Sequence, residues 1–352
     1  MSAKRDAKEF IDVSFCIPVY NAKDFLRDCI CSIEAQNLPE AEIDYEILCI
    51  DDCSTDGSHD ELVRLSTEYG HIKILKNEKN QGISYTRNRL IKEAKGKYIW
   101  YVDADDMLFK NCAKRVFEEA ERVKADVLYC NYIRVSEDTK GNESYVFDSE
   151  KMARLIKNKE DIPCDNNKVK MNALWACLFL KEFLTKNNLY FDEQVHMQED
   201  AIFFWAFKHA TDKIWKIDAP VYAYRQRKIS ITHNVSEEVK KKRYLSMLGK
   251  LEIYQKWLNE GYYSKKKIIK RKVLLTRQGI VLCLASLSDE EYVANELQRL
   301  RKQKVYPYPL CWYAFFTAKE NIGVKFLRLL LPIEKVFWLY HKIYKRKKLS
   351  GE

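Results

Sequence analysis

An apolar run that ends in three closely spaced carboxylates limits the fold of this chain more than any other feature. Residues 98–102 are apolar or aromatic, and Asp103, Asp105 and Asp106 follow them directly. The run predicts a buried strand that ends at the acids. Because open α/β sheets bind ligands beyond the carboxyl ends of their strands, the acids predict a ligand site. A solvated acidic turn that caps the next helix is the alternative.

The three acids favour a divalent cation. Carboxylates this close repel one another and resist desolvation, and a bound cation offsets both costs. Mg²⁺ usually binds one or two protein carboxylates together with substrate phosphates, and Mn²⁺ also prefers oxygen ligands. We therefore expect Mn²⁺ or Mg²⁺ at Asp103, Asp105 and Asp106, beside a diphosphate.

Strand and helix patterns alternate through the front of the chain. Apolar runs at 13–20, 45–50 and 72–75 predict strands, and amphipathic segments between them predict helices. This alternation predicts a mostly parallel, doubly wound sheet. The second strand also ends in acids, Asp51 and Asp52, which suit hydrogen bonds to a base or ribose. Helix capping explains the same two acids equally well.

Two nucleotide-binding signatures are absent. No G-x-G-x-x-G follows the first strand, and no G-x-x-x-x-G-K-[ST] occurs in the chain. Dinucleotide-binding and P-loop sites are therefore disfavoured.

The cysteines and the hydropathy pattern predict a cytoplasmic protein. The 11 cysteines include no C-x-x-C pair, and several lie in strand-like runs, which is typical of reduced, buried thiols. The first 12 residues are polar and do not resemble a signal peptide, and no apolar run is long enough to span a membrane.

Four segments, in their order and spacing, resemble the family 2 glycosyltransferases of the GT-A fold. They are VSFCIPVYN at 13–21, IDDCSTDGS at 50–58, NQGISYTRN at 80–88 and YVDADD at 101–106. The resemblance implies inverting transfer of a sugar from a nucleotide-diphospho-sugar, usually a UDP-sugar, with a divalent metal on the diphosphate. It also implies an α/β fold: a doubly wound, Rossmann-like GT-A domain, here followed by a C-terminal α-helical region.

The resemblance also implies roles for individual residues, in three groups. The nucleoside pocket would be lined by Pro18, Tyr20, Asn21, Asp51 and Asp52. The nucleotide and its phosphates would lie beside Gly82 and Arg87. The D-x-D motif would consist of Asp103, Ala104 and Asp105, with Asp106 next to it.

A second acidic pair, Glu199 and Asp200, precedes an aromatic helical segment. A carboxylate at a helix N-terminus is favoured by the helix dipole, so capping would explain one of the two acids. The resemblance implies instead that they form the family's Glu-Asp motif, in which Asp200 acts as general base on the acceptor hydroxyl. A Tyr-Arg pair with a nearby Ser also recurs in the family. It implies that Arg225 or His233 reaches the diphosphate, with a surface charge as the alternative.

The middle of the chain is less informative. Residues 136–172 are polar and poorly periodic, which fits either a loop that closes over substrate or a surface insertion. Short strands are predicted at 213–217 and 221–224. The Gln-x-x-Arg-Trp motif and the membrane helices of the processive family members are absent, which favours addition of one sugar at a time.

The back of the chain is helical in pattern and strongly basic. Residues 236–352 carry 26 Lys and Arg against 11 Asp and Glu, whereas the preceding residues carry 35 against 40. The segment 333–346 is amphipathic and aromatic, and Lys345, Arg346, Lys347 and Lys348 form a basic cluster at its end. This pattern predicts a helix lying on an anionic membrane surface, the alternative being a helix packed on the protein with a solvated tail. No nucleic-acid-binding motif accompanies the charge.

Together these features predict a GT-A catalytic domain over 1–235 and a basic helical region over 236–352. The nucleotide-binding half covers about 10–135 and the acceptor half about 136–235. The predicted enzyme is a hexosyl- or N-acetylhexosaminyltransferase of bacterial surface polysaccharide synthesis, of the capsule or exopolysaccharide kind. It would act in the cytoplasm, at the inner face of the membrane, on a glycan or polyprenyl-linked acceptor. The alternatives are a nucleotidyltransferase and a non-catalytic nucleotide-sugar-binding scaffold.

Overall fold

The structure, a computed structural model, describes six stretches of the chain. They are 11–136, 173–197, 199–226, 236–260, 266–308 and 330–350. The predicted substrate loop at 136–172 lies almost wholly outside these residues, as does His233. The chain divides into two compact units: the first consists of Met1–Glu193 with Glu199–Ser230, and the second of Gln194–Gln198 with Ile231–Glu352.

One mixed sheet of eight strands forms the centre of the first unit. In chain order the strands are β1 (Ile11–Val19), β2 (Tyr45–Asp51), β3 (Ile72–Lys76), β4 (Gly96–Tyr101), β5 (Met107–Leu108), β6 (Val127–Ser136), β7 (Cys177–Leu180) and β8 (Ile214–Gln226). Their order across the sheet is β3-β2-β1-β4-β7-β6-β8-β5. The first four strands are parallel, β7 runs antiparallel to both of its neighbours, and β8 is parallel to β6.

The predicted pair of short strands near residue 220 is instead one long strand, β8. The pairing of β6 with β8 shifts register around Asn131 and Pro220. A proline has no N–H to give to the ladder, so a bulge is where a strand tolerates it. The strand therefore continues past Pro220 instead of ending there.

Among the described residues of the first unit, six α-helices flank the sheet. They are α1 (Lys23–Glu34), α2 (Ser58–Glu68), α3 (Ile83–Glu93), α4 (Ala113–Val123), α5 (Lys181–Lys186) and α6 (Glu199–Ala210). Side chains of a strand alternate between the two faces of a sheet. Accordingly Trp100 belongs to one buried cluster, and Ile99 and Tyr101 belong to the other. Because β4 is covered on both faces, its sequence is a continuous apolar run rather than an alternating one.

The carboxyl ends of β1, β2 and β4 lie at one edge of the sheet. The three strands are parallel neighbours, with Val19 opposite Asp51 and Cys16 opposite Tyr101. The acids that follow β2 and β4 are therefore brought to the same edge, as the alternation of strands and helices predicts.

The second unit is helical. Its described helices are α7 (Glu237–Asn259), α8 (Lys266–Ala285), α9 (Glu290–Lys302) and α10 (Glu334–Ser350). They share a core of their own, which includes Tyr244, Ile280, Leu297 and Phe337. The predicted C-terminal helices are thus confirmed. Among the described helices, none combines the length and the apolar character that crossing a bilayer requires.

Candidate active site

The loops after β1 and β2 are joined to each other by hydrogen bonds. Asn21 adopts a left-handed φ of 49°, which Asn tolerates better than most residues. Its N–H donates to Ser54 Oγ (3.0 Å), and its Oδ1 accepts from Thr55 N–H (2.9 Å). In this structure the amide oxygen of Asn21 accepts a hydrogen bond that holds the two loops together, in place of the predicted contact with the nucleoside. Next to it, the Tyr20 ring is 51% exposed.

Asp51, at the end of β2, is fully buried. Its Oδ1 accepts from Ser54 N–H (2.9 Å). Its Oδ2 finds no hydrogen-bond donor among the described residues; His59 Nδ1 lies 3.4 Å away and Lys76 Nζ 3.9 Å away. Leaving a buried carboxylate oxygen without a donor is costly, so this atom is suited to accept an N–H from a ligand. Pro18 is buried in β1, opposite Ile50.

Asp52 has a different position from Asp51. Its Oδ1 accepts from Asn77 Nδ2 (2.7 Å) and from Gln81 N–H (2.8 Å), and its Oδ2 accepts from Gly82 N–H (2.8 Å). Gly82 has a φ of 88°, a conformation that favours glycine, and α3 begins directly after it. Both oxygens of Asp52 therefore fix the turn that starts α3, and its contact with the nucleoside stays a prediction.

Arg87 of α3 links the two acidic motifs. Its Nη2 donates to Asp103 Oδ1 (3.2 Å), and its Nη1 donates to Glu199 Oε1 (2.6 Å). Burial alone would lower the pKa of Arg87, but the charges of Asp103 and Glu199, with a further contribution from Asp200, raise it. The guanidinium thus stays charged. It also lies over the ring of Phe191, 5.5 Å from the ring centroid.

Asp103 and Asp105 are half-buried acids at the end of β4, with the buried Ala104 between them. Burial raises the pKa of Asp103, and the charge of Asp105 adds to the rise while Arg87 opposes it. A cation between the two carboxylates would relieve this repulsion. Within the described stretches, no three acid, Cys or His side chains form a ready metal site. Two carboxylates completed by substrate oxygens are nevertheless the usual Mg²⁺ donor set, so these residues fit the predicted metal.

Asp106 is buried, and each of its oxygens accepts one hydrogen bond. Its Oδ2 accepts from the Tyr222 hydroxyl (2.9 Å), and its Oδ1 accepts from Arg225 N–H (2.7 Å). The Tyr222 hydroxyl in turn accepts from Asp103 N–H (3.0 Å). Asp106 therefore fixes the backbone of the D-x-D motif, and its role as a metal ligand stays a prediction. Burial raises its pKa well above the ordinary value for Asp.

Comparison with known proteins identifies the family. Residues 14–186 match the sequence profile of glycosyl transferase family 2. The chain belongs to glycosyltransferase family 2. Among solved structures, S. aureus TarS 1–349 in complex with UDP-GlcNAc has a TM-score of 0.56 at 19% identity, over 97% of this chain and 93% of that one. The likeness concerns the fold, and it agrees with the predicted GT-A architecture.

Two relatives of this chain illustrate the range of the match. The uncharacterized glycosyltransferase EpsJ of Bacillus subtilis is 27% identical over 220 residues, which are 62% of each chain. The poly(ribitol-phosphate) beta-glucosyltransferase of Bacillus spizizenii is 36% identical over 116 residues, which are 33% of this chain and 18% of the relative. Each match thus covers less than two thirds of the relative.

The Glu-Asp pair of this family 2 chain opens α6. Glu199 is held by Arg87, while Asp200 is half-buried and its Oδ1 accepts from Ala201 N–H (2.7 Å). The charge of Asp200 contributes to the raised pKa of Arg87, so Asp200 also lies near that guanidinium. The structure therefore brings the Glu-Asp pair and the D-x-D motif together around one arginine.

Arg225 is not part of this arrangement. Its Nη2 donates to Asp28 Oδ2 (3.0 Å), and its guanidinium lies 5.0 Å from the centroid of the Phe25 ring. The side chain is buried, and its guanidinium is paired with Asp28 of α1. Its contact with the diphosphate stays a prediction.

Sequence analysis did not single out Tyr222, whose hydroxyl joins Asp103 to Asp106. The sequence carried only a weak signal. Tyr222 and Tyr224 are two residues apart on one strand, so their side chains share one face of the sheet. Only the pairing of β8 with β5 and β6 shows that this part of the strand lies beside the D-x-D motif.

Proposed function

We propose that this chain is an inverting glycosyltransferase that moves a sugar from a nucleotide-diphospho-sugar to a hydroxyl of a cell-envelope glycan. The observation that carries the proposal is the double contact of Arg87 with Asp103 and Glu199. It brings acids suited to a diphosphate–metal complex and acids suited to proton abstraction to one site. A displacement with the acceptor and the leaving group on opposite sides of the sugar needs both.

The donor would bind across the edge formed by β1, β2 and β4, and we propose a UDP-sugar. Asp51 Oδ2, which accepts no hydrogen bond from the described residues, suits an N–H of a nucleobase, and the exposed Tyr20 ring suits stacking. Asp103 and Asp105 would hold Mn²⁺ or Mg²⁺, which supplies charge stabilisation to the departing diphosphate. S. aureus TarS 1–349 has been solved in complex with UDP and with UDP-GlcNAc, which supports this choice.

Asp200 would act as the general base. It takes the proton of the acceptor hydroxyl as that oxygen forms its bond to the anomeric carbon, and the bond from this carbon to the diphosphate breaks. Because this is a single displacement, the configuration at the anomeric carbon inverts. Glu199 would remain paired with Arg87 and keep the guanidinium in place beside Asp103.

The transferred group would be a hexosyl or N-acetylhexosaminyl residue, added one at a time to a surface polysaccharide or its polyprenyl-linked precursor. Some relatives are named for the synthesis of cell-envelope polysaccharides, which supports a polysaccharide as the product. One is the putative teichuronic acid biosynthesis glycosyltransferase TuaG of Bacillus subtilis, which is 33% identical over 106 residues.

The Asp200→Asn variant tests this function. We expect transfer to fall by roughly 10²–10⁴-fold while UDP-sugar binding is kept, because the amide cannot accept the proton. Release of UDP from a panel of UDP-sugars with Mn²⁺, and donor binding by calorimetry, measure the two effects. A scaffold would show no turnover in either form. A nucleotidyltransferase would release no UDP, but in a parallel assay it would release pyrophosphate from a nucleoside triphosphate and a sugar phosphate. Either result would contradict the proposal.

We also propose that α10 binds the surface of an anionic membrane. Its side chains Phe337 and His341 are buried, whereas Leu339 and Ile343 on another face are 51% and 40% exposed, and Ile333 before the helix is 50% exposed. Exposed apolar groups beside the basic sequence that ends the chain match a bilayer with anionic headgroups.

A double substitution tests the membrane contact. Replacing Leu339 and Ile343 by Glu should weaken binding to phosphatidylglycerol vesicles at least about tenfold, because apolar area is lost and like charge is added. Glu substitution of Lys242, which lies on α7, is a charge-matched control. Sedimentation with vesicles measures the effect, and equal binding by the double variant and the wild type would exclude α10 as the contact.

A further inference from the structure

Four aromatic side chains form what we call the aromatic cluster: Tyr132, Trp175, Tyr222 and Tyr224. Trp175 stacks on Tyr222, with ring centroids 4.3 Å apart, and lies almost parallel to Tyr224, at 5.2 Å and 6°. Tyr132 meets Trp175 edge-on at 4.6 Å. Tyr222 is fully buried, but the other three side chains are only half-buried. A cluster with a purely structural task would more commonly be closed off from solvent.

The aromatic cluster lies beside the D-x-D motif. Trp175 lies in a 3₁₀ turn directly before β7, and its carbonyl accepts from Trp100 Nε1 of β4 (2.9 Å), three residues before Asp103. The Tyr222 hydroxyl contacts Asp103 N–H and Asp106 directly. The pKa of Tyr224 is raised by burial and further by the charges of Asp106, Asp105 and Asp103, which places its ring close to the same acids.

The order of the strands places the aromatic cluster on the side away from the nucleoside loops. Across the sheet, β1 and β2 lie on one side of β4, and β7, β6 and β8 lie on the other. The loops with Tyr20 and Asp51 follow β1 and β2, and the cluster comes from β6, β8 and the residues before β7. If the diphosphate binds at Asp103 and Asp105, the region beyond it belongs to the sugar and the acceptor.

The chemistry of the region favours a neutral, polyhydroxylated ligand. The four side chains of the aromatic cluster are neutral and offer no counter-ion to a second phosphate or an anionic lipid headgroup. A pyranose ring has a face of C–H groups that packs on aromatic faces, whose quadrupole is negative, and hydroxyls that reach neighbouring polar groups. An aromatic surface beside a few polar groups is the usual composition of a small-molecule site.

We propose that the aromatic cluster binds the acceptor, with Trp175 and Tyr224 stacking on a pyranose ring of the acceptor glycan. This inference rests on the proposed function. It assigns a substrate class to the region beyond the D-x-D motif.

The experiment measures sugar binding to the full chain by saturation-transfer NMR in the presence of UDP and Mg²⁺. The probes are methyl β-glycosides of glucose, galactose and N-acetylglucosamine. We expect saturation transfer to the ring protons of at least one glycoside. The Tyr224→Ala variant should weaken that binding about tenfold, since it removes one aromatic face. Tyr224→Phe keeps the ring and should restore it.

A control variant and a second measurement separate the possible outcomes. Tyr190→Ala removes a half-buried aromatic that packs over Lys92, outside the aromatic cluster, and should leave glycoside binding unchanged. The proposal is overturned if no glycoside binds the wild type, if Tyr224→Ala binds like the wild type, or if UDP displaces the glycoside. UDP binding, followed by thermal shift in the same samples, tests the proposed function separately. Failure to bind UDP would contradict the proposed function. UDP binding without glycoside binding would contradict only the proposed role of the aromatic cluster.

Discussion

The acids that follow β2 and the acids that follow β4 are divided between the same two roles, fixing the loop and facing a ligand. After β2, Asp52 gives both oxygens to neighbouring N–H groups, while Asp51 Oδ2 has no donor among the described residues. After β4, Asp106 gives both oxygens to Tyr222 and Arg225, while Asp103 and Asp105 face each other half-buried. Each motif thus contains an acid that fixes the loop and acids that retain capacity for a ligand.

The two ends differ in what the ligand-facing acid offers. Asp51 is fully buried and offers a single oxygen, which suits one directed hydrogen bond. Asp103 and Asp105 offer two adjacent carboxylates beside the Arg87 guanidinium, which suits a cation and a diphosphate. If these acids bind the donor as proposed, the difference explains how acids of one chemical type recognise opposite ends of the same molecule.

The largest effect is expected from the metal-facing acids. The Asp105→Ala variant should lower transfer by about 10³-fold or more and abolish the Mn²⁺ dependence of UDP-sugar binding, because a metal ligand is lost. Calorimetric titration of the donor with and without Mn²⁺ measures this.

Asp106→Asn is the matched control at the same strand end. It keeps the size of the side chain and should retain metal-dependent donor binding. Metal dependence lost in Asp106→Asn but kept in Asp105→Ala would reverse the assignment of the two acids.

Substitutions of the two acids that follow β2 should have moderate effects on different properties, one on stability and the other on UDP binding. Asp52→Ala leaves Asn77 and the N–H groups of Gln81 and Gly82 without their acceptor. It should cost about 3 kcal/mol of unfolding free energy, or roughly 10 °C in Tm. Asp51→Asn keeps the acceptor for Ser54 and should leave Tm nearly unchanged. It should nevertheless weaken UDP binding about tenfold or more, since a charged acceptor is lost.

Thermal unfolding and UDP titration of both variants sharpen the comparison. A drop in Tm for Asp52→Ala alone, with weaker UDP binding in Asp51→Asn, is the expected pattern. Equal losses of stability in the two variants would mean that Asp51 also serves the fold, and the division of the β2 acids would then be incorrect.

The sequence was sufficient to predict the alternating fold and the place of both acidic motifs. Apolar runs such as 98–102 are long enough to mark buried strands, and acids directly after them can only lie at strand ends. The helical C-terminal region also followed from periodicity. Each of these inferences depends on residues that are close together in the chain.

The different roles of the acids within each motif could not be predicted from the sequence. Asp52 and Asp106 look like their neighbours in the sequence, and their partners Asn77 and Tyr222 come from other elements. The same applies to Arg225, because its partner Asp28 lies on α1, far away in the chain. Which acid is satisfied depends on long-range packing, and no local pattern carries that information.

The smallest effect is expected at Asp56, which closes the β2 loop onto the start of α1. Burial slightly opposes ionisation, but bonds from Ser58 and from Lys23 N–H lower the pKa of Asp56. An acid with a lowered pKa in the folded state stabilises above its unfolded pKa of about 3.9, and this contribution is lost as the pH falls through the folded value. The decrease in Tm between about pH 5 and pH 3 should therefore be slightly smaller in Asp56→Asn than in the wild type. Differential scanning calorimetry at matched ionic strength measures it. A steeper decrease in the variant would show that Asp56 is stabilised as the neutral acid, like Asp106, and that the two loops do not differ in this respect.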